Sequence, residues 1–181
     1  MDRADILQEL RDRQEITDLI HLYCRAVDRC DEALLRSVFH PDSTHEHGPF
    51  KGSSSDFCGF AIAAVTPLVS TQHVIGNVVI KLDGDVAQSE AYFIAYHRLP
   101  KGRELEGLFR THDVERDEEV IVGGRYLDRH ERREGVWKIA HRLGTLDWQT
   151  WHTADDRDFS DFLGGKVSRR DRDDPVYRGV P

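Results

Sequence analysis

The sequence has no run of about 18 apolar residues, the length a membrane-spanning helix needs, so no membrane partner is expected. It has no excess of basic charge either. Against 33 Asp and Glu stand 25 Lys and Arg, a formal net charge of −8, which removes the electrostatic drive for gripping phosphate backbones and argues against a nucleic-acid binder. Cysteine is scarce: Cys24, Cys30 and Cys58 form neither an even set nor a C-x-x-C pair, which argues against a disulfide scaffold and for reduced thiols. Gly123-Gly124 lacks the spacing of a phosphate-binding loop, and no H-E-x-x-H or Cys cluster marks a zinc site. The start, Met-Asp-Arg-Ala-Asp, leads straight into a charged helix without the apolar core of a signal peptide, so a cytoplasmic protein is expected.

What is present fits one soluble domain with an appendage: 181 residues, 39% hydrophobic and 32% charged. Ile6, Leu10, Ile16, Ile20, Tyr23 and Val27 recur at helical spacing and predict a long helix over about Ile6–Arg29. A short helix is expected at Glu32–Phe39, ended by His40-Pro41, because a residue before proline is pushed out of the α region. A short strand is expected at Ser43–His47, broken by Gly48-Pro49. Caps at Ser53 to Asp56 then announce a third helix, Phe57 to about Val69. From Thr71 the pattern becomes β-branched and alternating. Two hairpins are predicted, Thr71–Leu82 with Val86–Arg98 around Asp83-Gly84-Asp85, and Val120–Glu131 with Val136–Asp147 around Arg133-Glu134-Gly135. Helices first and hairpins after predict an α+β fold, a strongly curved antiparallel sheet closing on the helices around a conical pocket. The domain is expected to span residues 1–150. Residues 151–181, dense in charge of both signs, read as an extension with one apolar foothold at Phe159, Phe162 and Leu163, while Arg169–Asp174 is expected to stay solvated.

Candidate chemistry concentrates in a few positions. His73 opens an apolar strand whose alternation puts His73, Ile75, Asn77 and Val79 on one face. It reads either as a strand-end histidine touching water or as a group aimed into the pocket. Asp28, at the end of the first helix, opposes the negative end of the helix dipole. It calls for a compensating partner, with a histidine or the neighbouring Arg25 and Arg29 as candidates. Tyr23, five residues earlier and about 140° around the helix, would flank the apolar stripe on its other side; it reads equally as core packing. His45 and His47, with His40 nearby, share a face and would permit a metal site, but their spacing is not specific, and no metal and no cofactor are expected.

Leu22-Tyr23-Cys24-Arg25-Ala26-Val27-Asp28, then Phe39-His40-Pro41-Asp42, resembles the opening of SnoaL-like proteins of the NTF2-like superfamily. Thr71-Gln72-His73-Val74-Ile75-Gly76-Asn77 resembles a second signature of that family. Gly124–Asp128, running on to Arg132–Arg142, resembles a third. The ordered set spans most of residues 6 to 148. The resemblance implies a cone of curved sheet closed by helices, and it leans toward the lyase branch of scytalone dehydratase, hexachlorocyclohexane dehydrochlorinase and bile-acid 7α-dehydratase. It implies His73 as general base, Asp28 as its orienting carboxylate, and Tyr23 and Arg142 as groups steadying developing negative charge. His97 and Tyr96 are loose counterparts of further scytalone dehydratase residues. Alternation alone would set Arg142 with Lys138 and Ala140 toward solvent, apart from Trp137, Ile139 and His141. The implied function is a cofactor-independent lyase or isomerase acting on a small cyclic hydrophobic substrate, its pocket shaped by residues such as Phe57, Phe60, Val65 and Phe93. The rival is a ligand carrier or an assembly protein similar to the β subunit of ring-hydroxylating dioxygenases. A homo-oligomer is expected, with a trimer favoured over a dimer, because the last hairpin carries apolar residues on both faces.

Overall fold

Helix α1, Arg3–Asp28, starts at a reciprocal box in which Asp2 accepts from the Asp5 backbone N–H and Asp5 accepts from that of Asp2. The computed structural model describes residues 2–154 and 168–179. The buried stripe of α1 runs through Asp12, Ile16, Ile20, Tyr23 and Val27. Ile6 and Leu10, expected on that stripe, are exposed, because the sheet first meets the helix near Asp12 and Arg13. Asp12 is buried instead and accepts from Trp137 Nε1 at 2.9 Å and Arg132 Nη1 at 2.8 Å. Hydrogen bonding, not apolar content, anchors the first half of α1.

Cys30, at φ 52°, turns the chain into the short helix α2, Glu32–Ser37, which Asp31 caps through the Leu34 N–H. Strand β1, Phe39–His47, begins four residues earlier than alternation indicated. Pro41 lies inside it, where the register slips between Phe39 and Thr44, so the missing N–H falls at an irregularity. Strand β2, Phe50–Ser53, pairs back on β1, and Ser53 caps helix α3, Ser54–Val65.

Two long hairpins complete the chain: β3 (Ser70–Asp83) with β4 (Val86–Leu99), and β5 (Glu118–Arg133) with β6 (Val136–Thr153). Their turns sit where expected. Glu134 and Gly135 both adopt positive φ, which a two-residue hairpin loop of this hand requires and glycine supplies without strain. One six-stranded sheet results, in the order β2-β1-β6-β5-β4-β3, antiparallel except for β1 beside β6. It is curved and unclosed, wraps α1, and is roofed by α3, so the expected α+β cone is what the chain forms.

Irregularities in the sheet decide which side chains face inward. Two residues of β3, Gly76 and Asn77, oppose Tyr92 alone. The inner set is therefore Thr71, His73 and Ile75, then Val78 and Ile80, and Val79 is exposed, contrary to simple alternation. In β6, Ala140 has no partner between the pairs His130↔Ile139 and Arg129↔His141. That extra residue reverses the parity, so Arg142 turns inward after Trp137 and Ile139 instead of facing solvent.

The C-terminal segment was expected to be solvated over Arg169–Asp174, yet part of it packs on the domain. Asp174 is buried, faces Arg29 at 3.4 Å, and accepts from the Arg169 backbone N–H; Arg172 pairs with Asp31. The physical reason is an acidic residue, Asp31, buried at the α1–α2 turn and satisfied by this segment's Arg172 and Tyr177 hydroxyl. The expected foothold at Phe159, Phe162 and Leu163 lies outside the described residues.

Candidate active site

The last turn of α1 and the first residues of β3 bring Asp28 and His73 together. Asp28 Oδ1 lies 2.7 Å from His73 Nδ1, and Oδ2 accepts from the His73 backbone N–H at 2.9 Å. Thr71, two residues before His73 and hence on the same face, donates its hydroxyl to Asp28 Oδ1 at 3.0 Å. The carboxylate thus receives three hydrogen bonds in a nearly dry setting, the two side chains being 8% and 12% exposed. Because an ionised carboxylate can only accept, His73 carries its proton on Nδ1, and Nε2 is the nitrogen left with a lone pair. Among the described residues Nε2 makes no hydrogen bond.

His73 faces a cavity of about 100 Å³. Phe57, Ala61, Ala64 and Val65 of α3 form its roof, Phe93, Ala95, Val120 and Val122 its floor, with Tyr23, His47, His97, Tyr126 and Gln149 set among them. All four residues expected to shape the pocket (Phe57, Phe60, Val65 and Phe93) line it. Phe60, Leu108 and Leu146, each more than a third exposed, mark its open side. Among the described residues no Lys or Arg stands in this wall.

His97 and His47, at the cavity, and His45 behind them are held neutral. Burial pushes His97 down to about 3, with His73 adding repulsion, and its Nδ1 lies 3.3 Å from the Val120 carbonyl. His97 meets His73 edge to face at 5.6 Å. Burial pushes His47 down to about 4, and the Arg142 charge acts the same way. His45 is wholly buried, stacked on Phe57 at 3.4 Å with neither ring nitrogen bonded, and desolvation drives it far below the ordinary histidine range. His40 bonds the Glu131 carbonyl. Among the described residues no three His, Cys, Asp or Glu side chains are grouped to hold a metal. Tyr96 is not part of the cavity wall, whereas His97 is.

Tyr23 lines the cavity and Arg142 lies behind it. Fully buried, Arg142 grips Asp128 through two 2.6 Å hydrogen bonds, its Cζ 4.0 Å from the Tyr23 ring centroid and 4.2 Å from that of Tyr126. Burial opposes its charge, but Asp128 more than offsets this and holds the guanidinium protonated. Burial likewise raises the Tyr23 hydroxyl well above its ordinary range, so it stays a neutral donor. Arg142 therefore reaches the cavity as an electrostatic field through two aromatic rings and not as a direct contact. Sequence reasoning missed Thr71, for which parity with His73 was an available signal. It also missed Asp128 as partner of Arg142 and Arg170, whose guanidinium reaches the Asp28 carbonyl.

Residues 8–143 match the family described as SnoaL-like domain. No curated protein matches the chain significantly. Among solved structures, the LinA-type3 hexachlorocyclohexane dehydrochlorinase from Novosphingobium barchaimii is 19% identical, with a TM-score of 0.68 over 84% of this chain and 97% of that one. A provisionally named scytalone dehydratase from Novosphingobium aromaticivorans is 21% identical, with a TM-score of 0.64 over 82% and 91%. The Kfla4162 protein from Kribbella flavida is 23% identical, with a TM-score of 0.66 over 78% and 95%. These likenesses are of fold.

Proposed function

The chain belongs to the SnoaL-like family, and from that premise we propose that it is a cofactor-independent lyase or isomerase acting on a small, uncharged, cyclic hydrophobic substrate. The observation that carries this reading is the Asp28–His73 pair opening on a cavity lined mainly by apolar side chains, with His73 Nε2 free of any hydrogen bond among the described residues. His73 Nε2 takes a proton from carbon next to a carbonyl or a leaving group. The electron pair of that C–H bond forms a double bond, and hydroxide or halide departs with its own pair. In an isomerisation the same proton returns to a different carbon. Asp28 holds the base in its productive tautomer and stabilises the imidazolium that forms. Tyr23 donates toward the oxygen or leaving group that gains charge, and the buried Arg142 favours that charge from behind. Neutral His97 and His47 offer polar contacts without a charge that an apolar substrate would have to desolvate.

The test is proton exchange at the acidic carbon of a panel of cyclic ketones in deuterated water, followed by NMR, with the wild type beside His73→Ala and Asp28→Asn. Loss of exchange by roughly 10²–10⁴-fold in the first, and a nearly equal loss in the second, is the expected result. Full activity in either variant would retire the base assignment. Ligand binding without exchange in the wild type would favour the carrier or assembly protein.

A further inference from the structure

The chain returns to the dyad from beyond the residues matched to the family, and it does so through Arg170. Its Nε donates to the Asp28 carbonyl at 3.1 Å, Nη1 to the carbonyls of Val65 at 2.8 Å and Leu68 at 2.9 Å, and Nη2 to Thr71 Oγ1 at 3.3 Å. Asp28 and Val65 are the last residues of α1 and α3. The final carbonyls of a helix have no partner within it and form its negative pole, so one guanidinium satisfies two helix ends at once. Its planar fork of five donors can serve four acceptors, on α1, α3, the loop that follows α3, and β3. A lysine ammonium, three donors on one point, cannot match that spread.

The effect reaches Asp28 through Thr71. A hydroxyl has one hydrogen to give and accepts through its lone pairs. With Arg170 donating to Thr71 Oγ1, the hydroxyl hydrogen is directed to Asp28 Oδ1, the oxygen that also receives His73 Nδ1. Arg170 is delivered to a fixed place because its own segment is anchored independently. Arg172 and the Tyr177 hydroxyl each reach Asp31 at 2.9 Å, and Asp174 lies against Arg29.

We propose that Arg170 is a positioning residue of the dyad, pinning the ends of α1 and α3 to the start of β3 and turning the Thr71 hydroxyl onto Asp28 so that the carboxylate holds His73 in its Nδ1–H tautomer. Its functional meaning rests on the lyase reading, but its test needs no substrate. Imidazole ¹⁵N NMR of the full chain is compared for the wild type, Arg170→Gln, Arg170→Lys and Thr71→Val. Arg170→Gln and Thr71→Val should each speed exchange of the His73 Nδ1 proton about tenfold, the order expected on losing one hydrogen bond to a charged group, and should populate the Nε2–H tautomer. Arg170→Lys should recover part of the effect. Wild-type exchange and tautomer in Arg170→Gln, even with a lowered melting temperature, would overturn the proposal by reducing Arg170 to a staple. Should Arg170→Gln not fold, Thr71→Val decides alone, and an unchanged tautomer there overturns it. A wild-type protein with the native tautomer and no turnover would sink the lyase reading and leave this one standing.

Discussion

Lowering the pH from about 7.5 to about 5 should remove most of the folding free energy, because three histidines are buried neutral. His47, His97 and His130 are pushed down to about 4, 3 and 4, with burial the largest cause in each case. In the unfolded chain each takes up a proton near pH 6.5, so below that value the unfolded state binds more protons than the native one and stability falls with pH. At pH 5 each unfolded histidine is almost fully protonated and each native one is not, a difference of about 2 kcal/mol per site, or about 6 for the three. His45 acts in the same direction. Against a typical domain stability of roughly 5–15 kcal/mol, such a loss is close to unfolding. The assay is urea unfolding followed by tryptophan fluorescence at several pH values and fixed protein concentration. His130 lies outside the cavity wall, bonded to Ser89, and His130→Gln, which removes one of these four buried histidines, should reduce the slope of stability against pH by about a quarter. A midpoint that stays constant between pH 7.5 and 5, or a slope untouched by His130→Gln, would refute the reasoning.

Asp128→Asn should cost about 3–5 kcal/mol, because it leaves the fully buried Arg142 charge unpaired; the double variant with Arg142→Met should recover much of that, and an unchanged midpoint in urea for Asp128→Asn would show the pair to be idle. The outer sheet face carries Val74 paired with Ile94, in one cross-strand row with the exposed Trp148, and we propose that a second and third copy cover it. Light scattering should then show a homo-oligomer, a trimer before a dimer, and Ile94→Lys should dissociate it; a monomeric intact chain would end that proposal.

Much of the fold is written in local pattern. The two hairpins announce themselves because turn chemistry at Asp83-Gly84-Asp85 and Glu134-Gly135 is confined to a few residues and needs no knowledge of the rest of the chain. The helix end showed that Asp28 needs a partner, with a histidine, Arg25 or Arg29 open to it, and the pairing with His73 was implied by the family resemblance alone. Arg142 was not readable from alternation, since a single unpaired residue, Ala140, reverses the parity, and nothing in the sequence between Trp137 and Arg142 marks the bulge. Ile6 and Leu10 obeyed helical spacing and yet face solvent, because periodicity tells which side of a helix is apolar but not how far along it the sheet extends. The hold of Arg170 on the ends of α1 and α3 joins residues more than 100 apart, beyond the reach of any spacing rule.

The seam between β1 and β6 sets an order of events when the chain folds. The β3–β4 and β5–β6 hairpins join neighbours in sequence and can zip within microseconds of one another. The parallel ladder of β1 on β6 joins residues near 45 to residues near 142, so its closure must bring together points about 100 residues apart before any of its bonds can form. His47 and Phe57 lie on one side of that seam, His73 and Tyr126 on the other. The cavity therefore does not exist until the slowest pairing is complete, and a molecule that fills it recognises the finished sheet alone. Such a ligand should slow unfolding and leave the rate of folding unchanged.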